Sequence, residues 1–274
     1  MTAFQWKKEA QTKLLEAGVP DAEVDAKLLL ADALRTEPAC LITAYYKELS
    51  EDTRDRLDTA LERRLAREPL QYICAKAYFM GLELYVDRRV LIPRQDTETL
   101  CEAALERMTG MKAPEVLDMC TGSGALALAI KHLRPDAQVT ASDISTDALD
   151  VTKTNMERLQ LRIETVKSDA YSNLSGRSFD IIVCNPPYLT CEDMDELQPE
   201  VTNEPALALE AGTDGLDFYK KHCTETLDFL RPKGYALFEV GKGQAESVLK
   251  LFCGLQGGII KDLCGIDRVV WIRK

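Results

Sequence analysis

The segment IIVCNPPYL, residues 181–189, holds the side chains best suited to chemistry. Its first four apolar residues predict a buried strand, and Asn185 follows at the carboxyl end, where open α/β sheets bind ligands. Pro186 and Pro187 then fix φ and remove two N–H groups. An NH2 group of a ligand can donate one hydrogen to the Asn185 side-chain carbonyl and the other to the Pro186 main-chain carbonyl. Tyr188 can pack flat against the planar group that carries this nitrogen.

Two acceptors for the hydrogens of one NH2 group, together with an aromatic ring, form an amide grip that suits methylation of a planar, amide-like nitrogen. An amide nitrogen is a weak nucleophile because its lone pair is delocalised into the carbonyl. Holding both hydrogens orients the nitrogen towards an electrophilic methyl group, and orientation can contribute up to ~7–11 kcal/mol. No ionised base is needed, because the nitrogen becomes acidic only as it is methylated. Two alternatives remain open: a rigid turn at a strand end, and a flipped adenine held by the same residues.

A second segment, EVLDMCTGSGALALAI at 115–130, predicts a strand, a turn of small residues and a helix. Gly122 and Gly124 carry no side chain, so the backbone can approach a ligand closely. Asp143 stands at the end of the next predicted strand, where its carboxylate can accept hydrogen bonds from both hydroxyls of a ribose. The spacing therefore predicts a nucleoside-containing cofactor.

The same turn leaves alternatives open. The turn also satisfies the dinucleotide fingerprint of nicotinamide dehydrogenases, with Gly122 and Gly124 as its first two glycines and Ala127 in the place of the third. Asp118, which ends the first strand, either orients a ligand through water or caps the turn. Asp169 ends another predicted strand and could contact an adenine amino group, although a role in capping the next turn is an alternative.

The elements that position these residues follow from hydrophobic periodicity. Residues 1–75 show only helical patterns, whereas 76–92 alternate β-formers and predict a hairpin between two domains. From 93 to 274 strands and helices alternate, which predicts an α/β domain with a largely parallel sheet. The two final strands, near 258–263 and 268–273, are close in sequence and are expected to pair antiparallel.

Composition narrows the class of partner. The formal net charge is −11, and residues 93–274 carry −9 of it. Proteins that bind duplex DNA gather Lys and Arg against the phosphates, so DNA is not the expected substrate. With nine cysteines, no CxxC pair and two histidines, no zinc site is expected. Free thiols fit a reducing compartment, and no apolar run could span a bilayer, so we expect a cytoplasmic protein without membrane association.

Taken together, these segments closely resemble the PrmC (HemK) family of peptide chain release factor glutamine N5-methyltransferases. The resemblance covers nearly the whole chain. The NPPY motif alone would be equally compatible with adenine-N6 methyltransferases. Besides NPPY at 185–188, the matching motifs are PLQYI at 69–73, VLIPRQDTE at 90–98, EVTNEPALAL at 200–209, DGLDFY at 214–219, EVGKGQ at 239–244 and GIDRVV at 265–270.

The resemblance implies a class I, Rossmann-like methyltransferase domain that uses S-adenosylmethionine. The substrate would be the glutamine in the Gly-Gly-Gln loop of class 1 release factors, and the helical residues 1–75 would help to dock that protein. Glutamine methylation of a ribosomal protein by a sister family is the nearest alternative. Asn185, Pro186, Pro187 and Tyr188 would hold the glutamine, with Asn185, Pro186 and Tyr188 as the catalytic set. The residues implied to contact the cofactor are Cys120, Thr121, Gly122, Ser123, Gly124, Asp143, Ala170 and Asn185, to which the spacing adds Asp169.

The chain departs from the family pattern at two places. Cys120 stands where the family usually has Gly, so its thiol either fits with a small backbone shift or weakens the cofactor pocket. The family motif PRPETE appears here as PRQDTE at 93–98, which puts a direct role for this loop in doubt. Arg94 in this loop contacts either a ligand or a local acid.

Overall fold

The structure, a computed structural model, describes all residues from 1 to 274. It divides into two compact units, one formed by 1–75 with 198–203 and the other by 76–197 with 204–274. The hairpin expected as a linker lies in the larger unit, and the short segment 198–203 lies in the smaller one.

The smaller unit is all helical, as the sequence predicts. Its core consists of apolar side chains such as Trp6, Leu14, Leu30 and Leu57, each at most 2% exposed. Its α-helices are α1 (Ala3–Glu16), α2 (Ala22–Ala33), α3 (Glu51–Leu65) and α4 (Leu70–Cys74), with a 3-10 turn at Pro38–Thr43. The short helix α4, in the PLQYI segment, is not apparent from periodicity because it is only five residues long.

A group of charged residues, of which Asp25 and Arg64 are buried, attaches segment 198–203 to this unit. Arg64 Nε lies 2.7 Å from an Asp25 oxygen, and Arg64 Nη1 lies 2.9 Å from Glu200. Arg67 forms a second ion pair with Glu200, at 2.8 Å. Burial raises the pKa of Asp25, although Arg64 opposes this shift. The two arginines thus hold an acid that is distant in sequence.

The larger unit begins with an antiparallel hairpin of β1 (Ala77–Phe79) and β2 (Leu82–Leu84). The remaining strands form one sheet, β3 (Glu115–Met119), β4 (Gln138–Asp143), β5 (Glu164–Lys167), β6 (Phe179–Cys184), β7 (Leu230–Glu239), β8 (Gln256–Lys261) and β9 (Asp267–Arg273). The helices are α5 (Asp96–Arg107), α6 (Ala125–Leu133), α7 (Thr146–Leu159), α8 (Cys191–Asp195), α9 (Asp217–Phe229) and α10 (Ala245–Lys250).

The strand order of this sheet is β5-β4-β3-β6-β7-β9-β8. The first five strands in this order run parallel, and β9 is antiparallel to both of its neighbours, which confirms the predicted α/β sheet with an antiparallel end. β7 starts at Leu230, which pairs with Phe179 across an irregularity in the register. None of the helices has both the length and the apolar character that a membrane crossing requires.

The parallel register brings the predicted site residues to one edge of the sheet. Met119, the last residue of β3, pairs with Ser142 of β4 and with Cys184 of β6. Strand β6 is buried on both faces, since Ile181 belongs to one hydrophobic cluster and Cys184 to another. The residues that follow these strands therefore meet at the carboxyl edge, where ligands of such sheets bind.

Candidate active site

The turn between β3 and α6 is built around the Asp118 carboxyl, which is fully buried. Asp118 Oδ2 accepts hydrogen bonds from Thr121 Oγ1 at 2.6 Å and from the main-chain N–H of Ala127 at 3.0 Å. Burial raises the pKa of Asp118 to about 7, while these two hydrogen bonds favour the charged form. Asp118 thus caps the turn and the start of α6, and it does not line the cavity described below.

The two glycines of this turn serve different purposes. Both have positive φ, +56° at Gly122 and +81° at Gly124, which favours glycine. A Cβ at Gly124 would lie 2.8 Å from Thr152 Cγ2, so close packing of the turn against α7 requires glycine there. A Cβ at Gly122 would meet no atom within 4 Å, so the space beside Gly122 is open to a ligand.

Asp143, at the end of β4, faces the same turn. Its Oδ2 accepts a hydrogen bond from the Gly122 N–H and its Oδ1 accepts one from the Ser145 N–H, each at 2.9 Å. Burial raises the pKa of Asp143, and the bonds from Ser145 and Gly122 partly counter that effect. Because a carboxylate has about four acceptor positions, two remain for hydroxyl groups of a ligand.

A cavity of about 240 Å³ lies beside these residues. Nine of the predicted site residues line it, namely Cys120, Thr121, Gly122, Ser123, Asp143, Asp169, Ala170, Asn185 and Pro187. Gly124, Pro186 and Tyr188 do not line it, since Gly124 packs against α7 and Pro186 is buried. The cavity brings together residues from the ends of β3, β4 and β6 and from the segment after β5.

Asp169 and Ala170 form another part of the cavity wall, in which Asp169 is exposed and Ala170 is buried. Asp169 forms an ion pair with Lys221 at 3.4 Å, and about half of its side chain is exposed. Ala170 has φ +45°, and its carbonyl accepts a hydrogen bond of 2.7 Å from the Ser168 hydroxyl. Phe218, which sequence reasoning assigned no role, lines the cavity together with these two residues.

Cys120 fits into the turn with a left-handed backbone. Its φ is +61°, a conformation that glycine adopts without strain but other residues adopt at a cost. The half-buried side chain packs against the hydrophobic cluster that contains Cys184, and it lines the cavity. The thiol is therefore accommodated in the lining of the pocket, at the cost of a left-handed backbone.

Asn185 directly follows β6 and presents an unused acceptor. Its Nδ2 donates a hydrogen bond to Thr97 Oγ1 at 3.2 Å. Its Oδ1 is buried and has no hydrogen-bond partner in the protein. Because a buried, unpaired carbonyl oxygen is costly, a ligand N–H placed beside Oδ1 would be stabilised.

Tyr188, three residues after Asn185, is fixed at three points. Its hydroxyl donates to Glu239 Oε1 at 3.4 Å, and its main-chain carbonyl accepts a 2.8 Å hydrogen bond from Gln244 Nε2. A Cβ at Gly241 would lie 3.1 Å from Tyr188 Cδ2, so the ring packs directly on this glycine. Burial raises the pKa of Tyr188, which keeps the hydroxyl protonated. The aromatic ring thus has one defined position.

Arg94 pairs with an acid from a distant segment of the same unit. Its guanidinium forms an ion pair with Glu204, whose other oxygen accepts a 3.0 Å hydrogen bond from the Ile92 N–H. Only 1% of the Glu204 side chain is exposed. Of the two contacts predicted for Arg94, with a ligand or with an acid, the structure shows the contact with an acid. This ion pair fixes the loop before α5.

Sequence reasoning assigned no role to Thr97, Glu204, Glu239 or Gln244. Each of them lies in a segment that carries the family resemblance, and this position in a motif is the signal by which the sequence could have indicated a role. Their function of holding Asn185, Tyr188 and the neighbouring loop becomes visible only when distant segments are brought together in three dimensions.

Two protein families match this chain. The family described as PrmC N-terminal domain matches residues 5–74, and the family described as Methyltransferase small domain matches residues 96–212. A release factor glutamine methyltransferase of Deinococcus radiodurans is 38% identical over 268 residues, which cover 97% of this chain and 96% of that protein. The match therefore spans both units.

Two further comparisons are narrower. A ribosomal protein uL3 glutamine methyltransferase of Francisella tularensis is 40% identical over 200 residues, or 72% of this chain and 64% of that protein. The crystal structure of a methyltransferase from Pyrococcus furiosus has a TM-score of 0.52 and 14% identity, covering 82% of this chain and 99% of that one. This structural likeness supports the fold alone.

Proposed function

Because this chain belongs to the family of release factor glutamine methyltransferases, we propose that it methylates the glutamine in the Gly-Gly-Gln loop of class 1 peptide chain release factors. The methyl group comes from S-adenosylmethionine and goes to N5, the only nitrogen of a glutamine side chain. The observation that carries this proposal is the buried Asn185 Oδ1, an acceptor with no partner beside the cavity.

The residues around the cavity fit S-adenosylmethionine. Asp143 has two acceptor positions left for the ribose hydroxyls, and the backbone at Gly122 leaves open space beside it. Asp169 and Ala170 would face the adenine, and Cys120, Thr121 and Ser123 would line the rest of the cofactor site. When bound, the cofactor supplies an electrophilic methyl group on a sulfonium.

The chain's own residues would then hold the glutamine amide. One amide hydrogen would be donated to Asn185 Oδ1 at the cavity wall. The other would be donated to the main-chain carbonyl of Pro186, which follows Asn185 directly although Pro186 itself does not line the cavity. The two bonds would orient the nitrogen. Pro187 keeps this backbone rigid, and the fixed ring of Tyr188 would support the planar amide. Because the acceptors are set before the substrate binds, little reorganisation is needed during the reaction.

The smaller unit would help to dock the release factor, and the place of action would be the cytoplasm. Two observations favour a release factor over ribosomal protein uL3. The PrmC N-terminal domain matches almost the whole of this unit, and the uL3 enzyme is matched over only 64% of its length. The net charge of −9 on residues 93–274 also disfavours a nucleic acid substrate.

The test is an assay of purified protein with labelled S-adenosylmethionine and three substrates in parallel. These are a release factor, the same factor with its loop glutamine replaced by alanine, and ribosomal protein uL3. We expect label only on the first, and mass mapping should place it on the Gly-Gly-Gln glutamine. Label on uL3 alone, or on the factor that lacks the loop glutamine, would refute the proposal.

The Asn185→Ala variant tests the grip directly. It should abolish most turnover while leaving cofactor affinity within a few-fold of the unaltered protein, because only one acceptor is removed. Cofactor binding is measured by calorimetry and turnover by methyl incorporation. Normal turnover in this variant would show that Asn185 does not hold the amide.

A further inference from the structure

The carboxyl group of Glu239 is the least expected group near the proposed site. Glu239 ends β7 and has no exposed surface. Its Oε1 accepts the hydrogen bond from the Tyr188 hydroxyl, whereas its Oε2 is buried without a partner. A carboxyl in such surroundings destabilises the fold unless it is neutral or well paired, so its presence calls for a functional reason.

Thr97 connects this carboxyl to Asn185. Thr97 is 4% exposed, and its Oγ1 accepts the hydrogen bond from Asn185 Nδ2. A hydroxyl that accepts one hydrogen bond can still donate its own hydrogen. The Thr97 hydroxyl also interacts with the Glu239 carboxyl and favours its charged form. The Asn185 amide thus donates to the Thr97 hydroxyl, and that hydroxyl lies beside the Glu239 carboxyl.

We propose that Thr97 and Glu239 are positioning residues that select one of the two orientations of the Asn185 side-chain amide. The oxygen and the NH2 group of an asparagine occupy nearly the same space, so packing alone does not distinguish them. With Nδ2 held by Thr97, Oδ1 remains as the acceptor for the substrate. In the reversed orientation the NH2 group of Asn185 would face the NH2 group of the substrate, and no hydrogen bond could form between these two groups.

The charge of Glu239 is not needed to neutralise the nearby Arg268. That guanidinium already pairs with Asp96 at 3.0 Å and with Asp262 at 3.2 Å. Of the groups around Glu239, Tyr188 donates a hydrogen bond to Oε1 and Thr97 lies beside the carboxyl, and both contact or support the proposed amide grip. This inference rests on the proposed function only in taking an NH2 group as the substrate.

A kinetic experiment separates positioning from mere support of the fold. Thr97→Val keeps the shape of the side chain but removes the hydroxyl, and kcat should fall roughly 10- to 100-fold as the amide loses its orientation. Affinity for S-adenosylmethionine should stay within a few-fold. Thr97→Ser should restore most of the turnover. Thr226→Val is the matched control, because it removes a buried hydroxyl that bonds Tyr171 outside the cavity.

An NMR experiment tests the same inference without any activity. The chain has only four asparagines, so selective ¹⁵N labelling of asparagine gives four side-chain NH2 pairs, and Asn185→Ala assigns one of them. Thr97→Val should shift the Asn185 pair and speed its exchange with water, whereas Thr97→Ser and Thr226→Val should not. Glu239→Leu, which removes the carboxyl beside Thr97, should shift the same pair.

The outcomes distinguish the two hypotheses. An unaltered enzyme that leaves the release factor unmethylated refutes the proposed function, while the NMR result still decides the orientation of Asn185. An Asn185 pair that is unchanged in Thr97→Val and in Glu239→Leu overturns the positioning role. So does a Thr97→Val enzyme with full turnover, or a Thr97→Ser enzyme as impaired as Thr97→Val.

Discussion

Replacing Glu239 by Gln should remove part of the pH dependence of the unfolding free energy of the larger unit. Burial raises the pKa of Glu239 from 4.5 to about 7, while Thr97 and Arg268 favour its charged form. The folded state therefore binds this proton more tightly than the unfolded chain. The associated stability is fully present below about pH 4.5 and is lost as the pH rises through about 7. Glutamine does not titrate, so the variant lacks this loss.

The size of the effect follows from the two pKa values. The interval from 4.5 to about 7 corresponds to roughly 3 kcal/mol, of which about 2 to 3 kcal/mol is lost between about pH 5 and pH 8. Asp118, whose pKa burial also raises to about 7, titrates in the same interval. It is present in both proteins, so its contribution cancels in the difference between them.

Urea unfolding at several pH values measures this difference. The chain has two tryptophans, Trp6 in the smaller unit and Trp271 in the larger, so a Trp6→Phe background leaves Trp271 as the fluorescent reporter. The matched control is Glu246→Gln, which removes an exposed carboxyl from the same unit. Stability curves of Glu239→Gln and Glu246→Gln that run parallel across this pH range would refute the reasoning.

Three further substitutions test other features. Cys120→Gly should stabilise the protein by about 1 kcal/mol in thermal unfolding, because it relieves a φ of +61°, and a lower stability would contradict this account of strain. Asp143→Asn should weaken binding of S-adenosylmethionine roughly 10- to 100-fold in calorimetry, since it removes a charged acceptor, whereas unchanged affinity would exclude a ribose contact. Arg64→Met should destabilise the smaller unit by about 3–5 kcal/mol, because Asp25 would be left buried and unpaired. Trp6 fluorescence reports this unfolding, and a change below about 1 kcal/mol would show that Asp25 is solvated or neutral.

Much of the fold is predictable from the sequence because the local signals agree. Strand β3 and the start of helix α6 lie in the 115–130 segment as predicted, because this segment combines a buried apolar run with a turn of small residues. Helices α8 and α10 were not predicted, because five and six residues are too few to show a period. The edge of the sheet that holds the site follows from the parallel order of the strands.

The residues that hold Asn185 and Tyr188 in place could not be predicted in the same way. Thr97 and Asn185 are 88 residues apart, and Tyr188 and Gln244 are 56 apart. No local pattern indicates that two such side chains will meet, because their contact depends on how the sheet is assembled. The backbone strain at Cys120 could not be predicted either, since a cysteine after a strand does not indicate a positive φ.

Residues 198–203 belong with the smaller unit although both of their flanks belong to the larger one. Cutting the chain after residue 75 would therefore not produce two self-sufficient fragments. The first would lose Glu200, the partner of Arg64 and Arg67, and the second would carry six residues without their native environment. For the same reason, exchange of the first 75 residues between related enzymes, by recombination or by design, has to include the 198–203 segment to keep its charges matched.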